Sequence, residues 1–194
     1  MIRDYHAADE PQWLETRLLS FFHTSYYDDV KVAKTRLPPQ SIEIVDAGPT
    51  GIRGLLDVEV EGTEATIDTI AVHPGSSRAG IGRALLREAR HRLPASVTTL
   101  DAWTRDDVGA NSWYRAMGFV EKQRYLHVYR SDEAGDPEIG FETPTGMSRP
   151  VIAMMHASID QEAELRARYS RVYICRQYVL GRTATRNHPE TPLA

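Results

Sequence analysis

The apolar positions of the chain change period several times, and each change marks an element. Leu14, Leu18, Phe21 and Phe22 recur at helical spacing after Asp9–Glu10–Pro11–Gln12, which reads as a helix start. Asp9 is the expected cap, Gln12 the residue that reaches back to it, and proline is tolerated in a first turn. Residues 2–6 precede this helix as a short strand. Period-two alternation takes over at 41–47 (SIEIVDA), 52–60 (IRGLLDVEV) and 65–73 (ATIDTIAVH), with turns at 48–51 and 61–64. Three strands joined by tight turns form an antiparallel meander. A doubly wound sheet would alternate strand with helix instead. Between the first helix and the meander, residues 24–39 (TSYYDDVKVAKTRLPP) are mixed, aromatic and acidic, and read as a loop or a short helix.

Helical spacing returns at 81–93, where Ile81, Leu85, Ala89 and Leu93 share one face, Leu86 lies beside them, and Pro94 stops the run. A strand at 97–103 (VTTLDAW) follows. A short helix at 108–117 ends at Gly118, a residue suited to the left-handed position past a C-terminus. Residues 123–130 (QRYLHVYR) form a strand. This element order predicts an α+β domain over residues 1–130. Residues 131–150 are rich in Gly, Pro, Asp and Glu and read as a linker or surface loop. The chain then becomes regular again over 151–182: a strand at 151–159, then a helix capped by Asp160 and running to about Leu180, with Leu165, Tyr169, Val172, Tyr173 and Val179 as its stripe and Gly181 at its end. The tail, 183–194, is expected to be disordered.

Composition narrows the class of protein. The 194 residues are 41% hydrophobic and 26% charged, enough for a real core in one ordinary domain with an appendage. No apolar run approaches the roughly 20 residues that cross a bilayer, and MIRDYHAADE has neither the basic nor the apolar region of a secretory signal. These features point away from a membrane. Cys175 is the only cysteine, which excludes an internal disulfide, and a cytoplasmic location is expected. The net charge of −4 gives no basic face for nucleic acid. Lysine occurs only at Lys31, Lys34 and Lys122. No Cys/His spacing suggests zinc, so no metal is expected. His127 and His156 fall on strand patterns and read as packing residues.

Residues 76–93 (SSRAGIGRALLREARHRL) carry the candidate chemistry. A helix begins with about four backbone N–H groups that lack partners, and its dipole leaves partial positive charge there. Gly80 and Gly82 let that backbone approach a ligand, so the stretch suits a phosphate or diphosphate; a tight turn with no ligand is the plainer alternative. A dinucleotide fingerprint would need glycine where Leu85 stands, and a Walker loop needs a Gly-Lys-Ser/Thr that is absent.

The stretch IDTIAVHPGSSRAGIGRALL resembles the acetyl-coenzyme A segment of the GNAT N-acetyltransferase superfamily. That pattern runs from a strand ending in apolar-Val-x-Pro, here Val72–His73–Pro74, to a Gln/Arg-x-x-Gly-x-Gly/Ala turn that opens a helix. Gly80–Ile81–Gly82 fill the glycine core, while Ser77 takes the Gln/Arg slot and Arg78 follows it. ANSWYRAMGF (110–119) resembles the family's next region, with Ala110, Trp113, Tyr114, Gly118 and Phe119 in the slots. The family often has Asn seven residues before the tyrosine; this chain has Asp107 there and Asn111 nearer.

The resemblance implies a GNAT fold: a mostly antiparallel, splayed central sheet flanked by helices, here with a C-terminal strand–helix extension. It implies transfer of the acetyl group of acetyl-coenzyme A to an amine of a small molecule or peptide, by direct attack and without metal. Backbone groups of Ile70, Ala71 and Val72 would bind the pantetheine arm as an added strand, with a donor near Val72 for the thioester oxygen. Ser77, Arg78, Ala79, Gly80, Ile81, Gly82 and Arg83 would hold the diphosphate, and Asn111 would touch the cofactor. Tyr114 is the implied acid for the departing sulfur. Asp68, four residues before Val72, is the candidate base, with a solvent-facing strand position or a water chain as alternatives. Tyr26, Tyr27, Asp28 and Asp29 fall where the family places its acceptor loops, and Trp103 lies on the facing strand. Asp106 and Asp107 face the cleft or start a helix. The extension packs on its own domain, exchanges across a homodimer, or borders the acceptor site. A catalytically silent acetyl-coenzyme A sensor is the alternative to an enzyme; transfer to aminoacyl-tRNA fits the acidic balance poorly.

Overall fold

A computed structural model describes residues 1–181; the expected tail at 183–194 and Arg182 lie outside the described residues. The strands are β1 (Ile2–Asp4), β2 (Ile42–Gly48), β3 (Gly51–Glu61), β4 (Glu64–Val72), β5 (Thr99–Thr104), β6 (Val120–Ser131), β7 (Ile152–Ala157) and β8 (Arg171–Gly181). The helices are α1 (Glu10–Phe21), α2 (Ile81–Arg92), α3 (Val108–Ala116) and α4 (Glu162–Arg168). One eight-stranded sheet runs in the order β1-β2-β3-β4-β5-β8-β6-β7. Among the described residues only the β4–β5 pair is parallel, so the expected α+β architecture with a mostly antiparallel sheet stands.

The meander and α2 form as expected. Ile81, Leu85, Leu86 and Ala89 are buried against Leu56, Val58 and Val60 of β3. Close approach of α2 depends on Gly54 in β3. A Cβ there would lie 2.6 Å from Ile81 Cγ2 and 3.1 Å from Leu85 Cδ1. The bare backbone therefore lets the first turn of α2 seat on the sheet.

Two expectations are corrected. The first is the stripe of α1. Its buried residues are Trp13, Thr16 and Arg17, while Leu18 and Phe22 are 42% and 59% exposed. Trp13 fills a second cluster with Val45, Ile52, Leu55 and Ala71 on the opposite face from α2. Gln12 does not reach back to the helix start; its Oε1 accepts the Ile52 N–H of β3 at 3.1 Å. Asp9 turns its carboxylate to Arg3 at 2.6 and 2.8 Å instead of capping α1.

The second correction concerns residues 160–180. The helix ends at Arg168, Tyr169 turns extended, and residues 171–181 form β8. That strand lies between β5 and β6, pairing antiparallel with both. Its β-branched and aromatic residues suit a pleated surface. Val172, Ile174 and Tyr178 bury there, and Cys175 is a strand residue rather than a helical one. The sheet thus continues past residue 130: the segment expected as an appendage supplies an interior strand.

The 22–41 segment has no helix or strand. Lys34 pins it, with a side chain only 4% exposed whose Nζ lies 2.9 Å from Asp57 Oδ2 and also meets Glu43. The rings of Tyr5 and Trp13 lie 4.9 and 5.4 Å from the same ammonium, a favourable cation–π setting. Burial pushes the Asp57 carboxyl up to about 7, although Lys34 pulls the other way.

Gly54→Ala should destabilise the fold by about 1–3 kcal/mol through overpacking against α2; denaturant unfolding with no loss would show that α2 tolerates the methyl group. Asp57 holds a proton in the native state that the unfolded chain has released, so stability should fall as pH rises from about 4 to about 7. Asp57→Asn should flatten that slope in chemical denaturation across the window, and an unaltered slope would remove Asp57 as its source.

Candidate active site

β4 and β5 pair from Glu64↔Thr99 to Ile67↔Ala102 and then part. At that point β4 carries a bulge: Asp57 faces Thr69 and Val58 faces Ile67, so Asp68 is the extra residue. β5 is held on its other side by β8 through Thr104↔Arg176. β4 therefore stays with β3 while β5 stays with β8, and a wedge opens between them. A cavity of about 460 Å³ fills the wedge, within the range usual for ligand pockets.

The open edge of β4 forms one wall. The His73 N–H donates to Arg53 O at 2.8 Å. Antiparallel alternation from that bond turns Ala71 toward Leu55 of β3 and leaves Ile70 and Val72 facing the wedge. Ser20 of α1 confirms the direction. Its hydroxyl donates to Val72 O at 2.9 Å and accepts from Val72 N–H at 3.2 Å. Of the three predicted strand residues, Ile70 and Val72 offer backbone groups to the cavity; Ala71 lines it but spends its amide on β3.

The loop before α2 forms the upper end. Arg78 adopts φ +63° and Gly80 φ +77°, so two left-handed residues turn the chain into the helix. Arg78, Ala79, Gly80 and Arg83 are exposed, and Ser77 and Gly82 line the cavity. Ile81 is different: its side chain belongs to the core under α2, so only its backbone is at the helix start.

α3 closes the back. Asp107 caps it, accepting the Ala110 N–H at 2.6 Å, and also lines the cavity; both expected roles hold at once. Tyr114 is buried between Tyr178, stacked at 5.4 Å, and Phe119, edge-on at 5.3 Å, with its ring on the cavity wall. Burial raises the pKa of its hydroxyl strongly, so it keeps its proton at neutral pH.

Asn111 stands apart from the residues that line the cavity. It is buried, its Nδ2 donates to Arg105 O at 2.8 Å and Asp107 O at 2.6 Å, and its Oδ1 accepts from the Tyr178 hydroxyl at 2.9 Å. Those bonds use up the amide in joining α3 to β8, and none reaches the cavity.

The front wall comes from α1 and the loop after it. Tyr26 and Asp29 line it together with Arg17, Ser20 and Thr24, while Trp103 lines the cavity from β5. Tyr27 and Asp28 do not. Asp28 is bidentate to Arg171 of β8 at 2.6 and 2.7 Å, and the Arg171 guanidinium lies 4.8 Å from the Tyr27 ring. Arg171 holds the Asp28 carboxyl below its ordinary pKa. This pair clamps the loop to the sheet and stands outside the cavity. Asp106 likewise binds Arg166, Arg176 and the Ile174 N–H, fastening β8. Asp68 lines the cavity, accepts from the Thr69 hydroxyl at 2.9 Å and lies 3.4 Å from Lys31 Nζ.

His127 and His156 pack as expected. They stack at 5.0 Å and 10°, and burial, with Arg105 and His156 nearby, pushes the His127 pKa down to about 4.

Sequence reasoning missed Ser20, Arg17 and Thr24 on the front wall. Their signal was hidden because the stripe Leu14, Leu18, Phe21 and Phe22 pointed to a different face of α1.

Residues 42–121 match the family model described as the acetyltransferase (GNAT) domain. Over these residues the chain has the pattern of a GNAT acetyltransferase domain. No curated protein matches by sequence. Among solved structures, the ribosomal-protein-S18-alanine N-acetyltransferase of Escherichia coli is similar, with 17% identity over 97% of this chain and 98% of that one, at a TM-score of 0.58. An acetyltransferase of the GNAT family from Staphylococcus aureus gives 14% identity, 93% and 98% coverage and 0.56. The PaiA N-acetyltransferase of Thermoplasma acidophilum, solved with coenzyme A, gives 12%, 63% and 90% coverage and 0.53. At these identities the likeness is one of fold.

The residues lining the wedge fit coenzyme A. The wedge offers an unpaired strand edge for an amide-bearing arm. Gly82 faces the cavity without a side chain, the nearest neighbour of a Cβ there being the Trp113 indole at 3.6 Å.

Ser20→Ala would release both polar groups of Val72 into the wedge. It should cost about 1 kcal/mol in thermal unfolding and leave coenzyme A affinity, read by calorimetry, equal or tighter. Weaker binding would mean that the hydroxyl itself holds the ligand.

Proposed function

We propose that the protein is an N-acetyltransferase that moves the acetyl group of acetyl-coenzyme A to the amine of a small molecule or peptide, by direct attack in a ternary complex. One observation carries this reading: the open edge of Ile70 and Val72, the Gly82 start of α2 and the Tyr114 ring line a single cavity. Acetyl-coenzyme A, when bound, supplies an activated thioester carbonyl. The turn from Ser77 through Arg83 and the α2 dipole hold its diphosphate. Ile70 and Val72 hold the pantetheine arm as a strand, and the Val72 N–H, exchanged from Ser20, meets the thioester oxygen where charge builds. Tyr114, kept protonated by burial, gives its proton to the departing sulfur.

The acceptor amine must lose a proton before it attacks, since an amine of pKa about 10 is cationic at neutral pH. Asp68, at the bulge, receives that proton directly or through water. Tyr26, Trp103 and Asp29 offer aromatic faces and a carboxylate to the cationic form as it arrives. The Escherichia coli neighbour is named for an alanine of a ribosomal protein, a peptide amine, which suits the same chemistry.

Free thiol release from acetyl-coenzyme A across a panel of amines and peptide N-termini tests the reading. Turnover with at least one amine is expected; saturable coenzyme A binding with no turnover would make the protein a sensor. Tyr114→Phe should lower kcat at least about tenfold with coenzyme A affinity unchanged, and an undiminished kcat would take Tyr114 out of the mechanism.

A further inference from the structure

We propose that Lys31 is a self-acetylation site, its side-chain amine acting as an intramolecular acceptor for the acetyl group delivered to the wedge. The inference rests on the acetyltransferase reading above and goes beyond it by assigning a modification site.

The chain has three lysines, and their settings differ sharply. Lys34 is buried in its ion pairs with Glu43 and Asp57. Lys122 stands exposed on β6. Lys31 alone lies beside the cavity: its Nζ is 3.4 Å from Asp68 Oδ2 and donates to Thr35 Oγ1 at 2.5 Å. Asp68 is the bulge residue on the cavity wall, on the same strand as Ile70 and Val72, two and four residues before them. A primary amine is thus paired with the carboxylate best placed to deprotonate an acceptor.

The loop that carries Lys31 favours this encounter. It is irregular and contributes Thr24, Tyr26 and Asp29 to the front wall. Two residues before Lys31, Asp29 is tied to Arg17 at 2.8 Å; three residues after, Lys34 is pinned under Trp13. Between those anchors the Lys31 stem stays next to the wedge, which gives the amine the high effective concentration of an intramolecular partner.

The chemistry balances. The Lys31 ammonium gives one proton to Asp68, and its freed lone pair attacks the thioester carbonyl carbon. The C–N bond forms, the C–S bond breaks, and the sulfur leaves as thiolate and takes a proton from Tyr114. A second Nζ proton departs as the amide forms. Of the two protons lost by nitrogen, one replaces that of Tyr114 and the other goes to solvent. The acetylated nitrogen is neutral, so the ion pair with Asp68 is dissolved.

The full-length chain with acetyl-coenzyme A and no added amine provides the test. Intact mass and lysine-resolved peptide mass spectrometry follow acetylation, and calorimetry follows coenzyme A binding. Lys31 should gain one acetyl group at least about tenfold faster than Lys122, the built-in control for uncatalysed reaction. The rate per molecule should not depend on protein concentration, and Lys34 should stay unmodified. Lys31→Arg should bind coenzyme A as before and lose the fast phase. Equal slow rates at Lys31 and Lys122, or a rate that rises with protein concentration, would overturn self-acetylation even where an external amine is turned over. Absence of coenzyme A binding, or of thiol release with every amine, would instead bring down the acetyltransferase reading and this inference with it.

Discussion

The parting of β4 from β5 after Ile67 and Ala102 is the constraint on which the rest of the structure depends. A parallel pair that continued through Val72 would spend the amides of Ile70 and Val72 on its neighbour and leave no wedge. Two features keep it from continuing. The bulge at Asp68 shifts the register of β4 on β3 just past the last β5 pair, and β8 holds β5 from the other side to Thr104. Each strand has a stronger claim elsewhere, so their facing edges stay open. Open edges normally invite promiscuous pairing. Here α1 lies over this one, and Ser20 satisfies both polar groups of Val72.

The front of the wedge is held by ion pairs rather than by regular structure. Arg17–Asp29, Asp28–Arg171 and Lys34 with Asp57 and Glu43 fix the segment between α1 and β2 at three points. The Lys34 site is costly to break because a lone buried charge would remain, and the Arg17 guanidinium, 3% exposed, is likewise buried beside Asp29. The segment carries Tyr26 and Asp29, which line the cavity, and Lys31, which pairs with Asp68.

The similar solved structures share 12–17% of residues with this chain and still overlay on most of it. In this chain the wedge rests on a few backbone features: a bulge at Asp68, two left-handed residues before α2, a bare backbone at Gly54 and an interior strand supplied late in the chain.

The sequence by itself determined the meander, α2 with its glycine-opened start, and the pair of motifs ending at Tyr114. Each of these is written locally, in a two- or 3.6-residue period, a turn or a cap. Tertiary structure decided the rest. The stripe on α1 misled because burial there follows contact with β3, which takes Trp13 and Thr16, and with the following loop, where Asp29 takes Arg17, over Leu18 and Phe22. The segment 171–181 showed apolar spacing compatible with a helix, and only the vacancy between β5 and β6 made it a strand. Asn111 looked like a cofactor contact until the hydroxyl of Tyr178, 67 residues away along the chain, claimed its oxygen. Periodicity records which side of an element is apolar; which groups lie across from it is settled when distant segments pack.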